Sequence, residues 1–250
     1  MRHERTMHEL QAVSSSHLLQ LLASLSFFQE VPESERKELL NFLGQGVRLL
    51  SYRMGEFLIR QQDAKEKSFF ILLSGQASVV KSGSSMPLAQ LQTGECFGEV
   101  SFLTDRPRIS NVIVHAPELP RDTALRTLLE EILGMPLVER AQDNPALVMC
   151  LDREVLPKLS ISLRNQLKSR IIAQMAGRLN DMNERITHVT GQTPLLSEEG
   201  DFDDLVNKAA GQESLSLSPE DQEYFKDQLI GRLIQVMDEM NVQLTHIGTE

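Results

Sequence analysis

Gly98-Glu99 and Pro107-Arg108 are the residues of this chain with the most chemistry to offer, and nine positions separate the carboxylate from the guanidinium. They lie in "GECFGEVSFLTDRPRISNV", Gly94 to Val112, an apolar run punctuated by turn residues. A glycine lets backbone N–H groups come close to an anion, as loops that cradle phosphate do. A guanidinium presents a planar fork of donors that matches phosphate oxygens two at a time. An ionised carboxylate only accepts hydrogen bonds, so it suits a sugar hydroxyl and repels a phosphate. A cyclic nucleotide carries both complements side by side, an anionic ring phosphate fused to a ribose with a free 2′-OH. The structural alternative is an ion pair between Glu99 and Arg108 with no ligand.

These residues must be positioned by a folded body, and the composition supplies one. With 250 residues, 41% hydrophobic and 24% charged, the chain is expected to be globular, with one or two domains. The net charge of −10 has the wrong sign for general affinity to nucleic acid or anionic lipid. Only Cys96 and Cys150 are present, too few for a disulfide framework, so a reducing cytoplasm is expected. The N-terminal "MRHERTMHELQAVSSSHLL" has no apolar core with a cleavage site, and no stretch of 18 apolar residues occurs, so neither a signal peptide nor a membrane span is expected. The histidines form no H-E-x-x-H or paired metal spacing, and there is no phosphate-loop lysine motif and no G-x-S-x-G elbow. Neither a metal site nor an enzymatic activity is expected.

Residues 1–17 are polar and read as a loosely held tail. From Ser16 two helical patterns follow, the second opening at "PESERKELLNFL" with acidic residues in its first turn. Between about Val47 and Val114 short β-like runs ("VRLLSY", "EFLIR", "SFFILLSG", "QASVVK", "PLAQL", "SNVIVH") alternate with turn residues, as in an antiparallel sandwich or barrel. Helical texture returns at "RDTALRTLLEEIL" (121–133), a strand-like "ALVMCL" follows, and a long helix is expected from Arg164 to Ile186. Two shorter helices are expected at Phe202–Ala210 and Pro219–Leu244, the second opened by Ser218 and Pro219. The charge of residues 195–250, thirteen acids against three bases, accounts for all of the net −10, so the body before it is balanced. The fold class expected is α+β: an antiparallel β-roll (double-stranded β-helix or jelly roll) with N-terminal helices, a long C-terminal dimer helix and a further helical segment.

Phe97-Gly98-Glu99, "VSFLTDR", Pro107-Arg108, Ile109-Ser110-Asn111 and Val112 resemble the phosphate-binding cassette of the cyclic nucleotide-binding domain family. Upstream, "GEFLIRQQDAKEKSFFILLSGQASVV" is similar to the family's approach to that cassette. The resemblance covers about Leu18–Ile186. It implies that Arg108 pairs with the cyclic phosphate, that Glu99 accepts from the ribose 2′-OH, that Gly98 and its neighbours Phe97 and Val100 lend backbone donors, and that Ser110 lies near phosphate or base; Pro107 and Ile109 join them as ligand-binding positions. Two positions depart from the family pattern. Gln62-Asp63 stands where the family has Gly-Asp, and Ile109 replaces the small or hydroxyl residue after the arginine. A branched apolar side chain offers no hydroxyl to a guanine amino group, which favours cAMP over cGMP as the ligand. A third departure is length. "LDREVLPKL" begins 43 residues after Arg108, later than in the family, so residues 115–145 read as a helical insertion whose apolar face either packs on the roll, caps the pocket or docks a protein.

In "RIIAQMAGRLNDMNERI", Ile172, Met175, Leu179, Met182 and Ile186 repeat at intervals of 3, 4, 3 and 4, the seam of a two-stranded coiled coil. The run also resembles the dimer helix of catabolite activator proteins, which implies a homodimer through residues 164–186, with Met182 facing the purine and Asn183 reaching it from the partner subunit. Packing on the chain's own roll is the alternative. No winged helix-turn-helix follows, and the acidic extension, residues 187–250, lacks the basic side chains a DNA reader needs. The reading is therefore a cyclic nucleotide sensor, within residues 18–186, acting on a protein partner. Its alternatives are a transcription regulator with a degenerate output domain and a ligand-free interaction module.

Overall fold

The computed structural model describes residues 8–10, 13–83, 87–115, 120, 122–138, 144–190, 206 and 217–247. The chain forms two compact units, Met1–Leu159 and Ser160–Glu250. In the first, β1 (His8–Glu9), α1 (Ser15–Ser24), a 3-10 turn (Ser26–Phe28) and α2 (Glu33–Leu40) precede the sheets. The strands are β2 (Val47–Tyr52), β3 (Phe57–Ile59), β4 (Phe69–Ser74), β5 (Gln76–Val80), β6 (Ala89–Leu91), β7 (Cys96–Phe97), β8 (Asn111–His115) and β9 (Ala146–Leu151). Helix α3 (Glu99–Leu103) lies between β7 and β8, and α4 (Thr123–Leu133) between β8 and β9. A 3-10 helix, Arg153–Lys158, closes the unit.

The strands make two antiparallel sheets, one in the order β1-β2-β9-β4-β7 and one in the order β3-β8-β5-β6. Period-2 alternation turns Leu50 and Tyr52, Phe70 and Leu72, and Ala146, Val148 and Cys150 toward Leu58, Ala77, Leu91, Val112 and Val114 of the facing sheet. The intervening residues Phe69, Ile71, Leu147 and Met149 are also buried. Their face is covered by helical residues, with the Phe69 ring 6.0 Å from Phe27 and 5.4 Å from Phe102. A sheet buried on both faces explains why "FFILL" and "ALVMCL" are unbroken apolar runs. This is the antiparallel β-roll with flanking helices that the sequence led one to expect.

His8 and Glu9 pair with Ser51 and Leu50, and the Leu10 N–H donates to the Leu49 carbonyl at 2.9 Å, so a short edge strand holds part of residues 1–17. Two residues are too few to carry a strand signal. Helix α4 begins where the Asp122 carboxylate accepts from the N–H groups of Ala124 (2.8 Å) and Leu125 (3.2 Å). Its apolar residues Leu128, Leu129 and Ile132 are buried, and the helix packs against α1. A His17–Glu131 contact of 3.3 Å lies beside that packing. Part of the insertion's apolar face is thus occupied within the unit.

The second unit is built on α5 (Ile161–Thr190) and α6 (Pro219–Ile247), which pack on one another. Asn165 Nδ2 donates to the Pro219 carbonyl (2.9 Å), Arg164 reaches Glu223, and Lys168 reaches both Glu223 and Asp227. Their N-terminal ends therefore lie together and the helices run parallel. Ile172, Met175, Leu179, Met182 and Ile186 are all buried within the single chain. The seam expected to pair with a second copy is packed within the chain against α6. On α6 the buried face is Leu229, Ile230, Leu233, Ile234, Met237 and Met240. Phe225 and Val236 on the same helix are half-buried. Apart from Val206, which is helical and buried, the helix expected at Phe202–Ala210 lies outside the described residues. Among the described residues, no helix is long and apolar enough to cross a membrane, and no group of three or more potential metal ligands occurs.

Candidate functional site

Strand β7 delivers Phe97 into the roll, where its ring stacks on Phe70 with centroids 5.2 Å apart. Gly98 then takes a left-handed conformation (φ +82°) and caps α3, turning the chain so that Glu99, Val100 and Phe102 enter the interior. Only glycine adopts this readily, and here space forbids anything else. A Cβ at Gly98 would lie 2.7 Å from Arg108 Nη1 and 3.1 Å from the Ser68 carbonyl oxygen. The glycine thus makes room for the guanidinium.

Arg108 is 3% exposed. Its Nη1 donates to the Gly98 carbonyl at 2.8 Å and its Nη2 to the Ser68 carbonyl at 2.6 Å. The guanidinium carbon lies 5.5 Å from the centre of the Phe70 ring. Nε is buried without a hydrogen-bond partner. Both carbonyls are neutral, and no carboxylate among the described residues lies within ion-pair distance of Arg108. Burial pushes its pKa down, opposed by the more distant charges of Glu66 and Glu99. An arginine stays protonated regardless, so the site holds a buried positive charge without a contact anion.

The backbone on either side is fixed by a turn. The Arg108 N–H donates to the Asp63 carbonyl (2.9 Å), and the Gln62 N–H donates to the Arg108 carbonyl (2.7 Å). Gln62 has φ +67°, the left-handed geometry a glycine would supply at this family position. The turn therefore survives the loss of glycine at the cost of local strain. Lys67 Nζ holds the far side of the cassette, donating to the carbonyls of Asp105 (3.0 Å) and Arg106 (2.7 Å). Arg153 pairs with the Asp105 carboxylate at 2.6 Å.

The structure brings Gly98, Glu99 and Arg108 to one place, with Phe97 and Val100 buried beside them and Ser110 buried on the strand entry. Pro107 is exposed and Ile109 half-buried. Asn183 is half-buried on α5, in the second unit. Sequence reasoning missed the residues that hold the arginine, Ser68 and Phe70 above all. It also missed Asp152, whose carboxylate accepts from the Ser68 hydroxyl (2.9 Å) and from Arg48 (2.7 Å). Beside this pair the Cys150 thiol is pushed up to about 12 by burial, so it is inert at neutral pH. No motif marks a backbone carbonyl as a ligand. The one signal available was that Ser68 opens the strand that pairs with both the cassette strand and β9.

Comparison with known proteins agrees with this geometry. Residues 49–118 match the family profile of the cyclic nucleotide-binding domain. The chain is 29% identical over 123 residues to a cGMP-dependent protein kinase of Caenorhabditis elegans, a match covering 48% of this chain and 15% of that protein. It is 36% identical over 94 residues to a cAMP-dependent protein kinase regulatory subunit of Mucor circinelloides f. lusitanicus, covering 36% of this chain and 22% of that one. The chain thus spans less than a quarter of the length of either relative. Among solved structures, a cyclic nucleotide-binding domain from Methylobacillus flagellatus KT superposes with a TM-score of 0.53 at 16% identity, covering 76% of this chain and 92% of that chain. A likeness at that identity speaks for the fold alone. The match at residues 49–118 contains the glycine-seated arginine, so this part of the roll is similar to the cyclic nucleotide-binding domain family.

Proposed function

We propose that the roll binds a cyclic nucleotide, cAMP in preference to cGMP, and that the chain is a regulatory protein acting on a protein partner. The observation that carries this reading is the buried Arg108 guanidinium, which has neutral acceptors on two nitrogens and none on Nε. Burying a charge without a contact counter-ion is costly, and an entering phosphate would supply that ion. Arg108 would pair with the phosphate, Glu99 would accept from the 2′-OH, and backbone donors from Gly98 to Val100 would complete the cradle. Ile109 leaves no hydroxyl for a guanine amino group, which supports the adenine preference. The relatives, a cGMP-dependent kinase and a cAMP-dependent kinase regulatory subunit, support the ligand class and a protein output.

A second reading has an observation of its own. The guanidinium is already held by the chain's own carbonyls of Gly98 and Ser68, as a purely structural arginine would be. Calorimetry separates the two. Titration with cAMP, cGMP and cyclic dinucleotides should give saturable binding, tightest for cAMP and abolished in Arg108→Ala, with Arg108→Lys retaining part. No binding to the wild-type chain, or unchanged affinity in a folded Arg108→Ala protein, would establish the structural role.

A further inference from the structure

The polar clasp between α5 and α6 is asymmetric in charge. Helix α5 brings the cations Arg164 and Lys168; α6 brings the carboxylates Glu223 and Asp227, with one buried cation, Lys226, bonded to the Asn165 carbonyl. Arg164 grips Glu223 with two nitrogens, at 2.8 and 3.0 Å, while Lys168 bonds Glu223 at 3.0 Å and Asp227 at 2.6 Å. Lys168 is deeply buried, so its charge has little water to screen it. Were two α5 helices to pair in parallel through the same seam, Arg164 and Lys168 would face their own copies. Two α6 helices would likewise oppose Glu223 and Asp227. The apolar seam tolerates either arrangement, and the charges do not.

We propose that this helix pair is heterotypic by charge: α5 accepts an α6 and rejects another α5, so a second copy of the chain joins only by exchanging α6. The contacts of an exchanged pair are the same as those of the closed chain, so nothing in the seam opposes the trade. Reach does not oppose it either. Helix α5 spans 30 residues, about 45 Å at a rise of ~1.5 Å per residue. Between Thr190 and Pro219 lie 28 positions, 191 to 218, and a chain of that length spans at most roughly 90 Å. The tether also keeps α6 at high effective concentration near its own α5, so the closed single copy dominates in dilute solution.

The test uses two full-length variants, R164E/K168E in one and E223K/D227K in the other. Each alone sets like charges against each other, and light scattering should report single copies with reduced helical circular dichroism. Mixed in equal amounts, they should double in mass and regain helix, because each α5 now meets a complementary α6 in the other chain. A chain carrying all four substitutions should stay a single copy with full helix. The proposal falls if the mixture remains single-copy. It falls equally if either variant doubles on its own, or if the four-substitution chain fails to regain the helix that its parents lost.

Discussion

Replacing Glu223 by glutamine keeps the shape of the clasp and removes its charge. In the folded chain the Glu223 carboxylate is held at about 2, against an ordinary 4.5, chiefly by the Arg164 hydrogen bonds, then by Lys168, with burial opposing them. A depression of that size corresponds to roughly 3 kcal/mol. Arg164 and Glu223 are about one-fifth exposed, so water screens part of it and about 1–2 kcal/mol is expected in practice. The sign follows from the direction of the shift. A carboxyl whose folded pKa is depressed contributes its stability above the unfolded value, and loses it as pH falls through the folded one. Glu223→Gln should therefore lower the stability of the helix pair by about 1–2 kcal/mol at pH 7. The gap to wild type should shrink below pH 4.5 and vanish near pH 2. Denaturant melts followed by far-ultraviolet circular dichroism at several pH values measure it, scoring the transition in which α5 and α6 unfold. A gap that stayed constant from pH 7 to pH 3, or no gap at all, would refute the electrostatic account of the clasp.

Gly98→Ala should displace the Arg108 guanidinium, since the new methyl group meets both it and the Ser68 carbonyl. We expect a loss of about 2–4 kcal/mol in the first unit, from strain and crowding together, and with it any nucleotide binding, read by melting and calorimetry. At Gln62, valine should cost about 1–3 kcal/mol relative to glycine, because a branched side chain tolerates the left-handed backbone poorly, and paired thermal melts of the two variants test this. Gly177→Ala and Gly231→Ala meet no atom within 4 Å, so each should stabilise its helix by about 1 kcal/mol. An unchanged or lowered melting point in the second unit would contradict that.

The cassette was legible because its chemistry is local. A glycine, a carboxylate, a proline and an arginine at close spacing state what they can hold, and the strands around them alternate or run apolar as buried strands do. The grip on Arg108 was not legible, since it comes from the Gly98 and Ser68 carbonyls, and every residue has a carbonyl. Gln62 was equally silent, because its side chain gives no sign of φ +67°, and only the hydrogen bonds to Arg108 on both sides impose it. In α5 the 3-4 repeat located the seam correctly and could not say who covers it. A second copy and a later helix of the same chain satisfy such a seam equally. On α6 the buried face also takes in Lys226, a hydrophilic residue no apolar pattern marks, whose ammonium donates to the Asn165 carbonyl at 3.2 Å.

Strand β8 ends in one sheet and β9 begins in the other, so the passage holding α4 leaves the roll and re-enters it without interrupting any ladder. Lengthening such a passage costs little, roughly 0.6 kcal/mol for each doubling. The roll therefore has a natural port for added sequence, one where new helices can accumulate against α1 while the arginine cradle keeps its geometry.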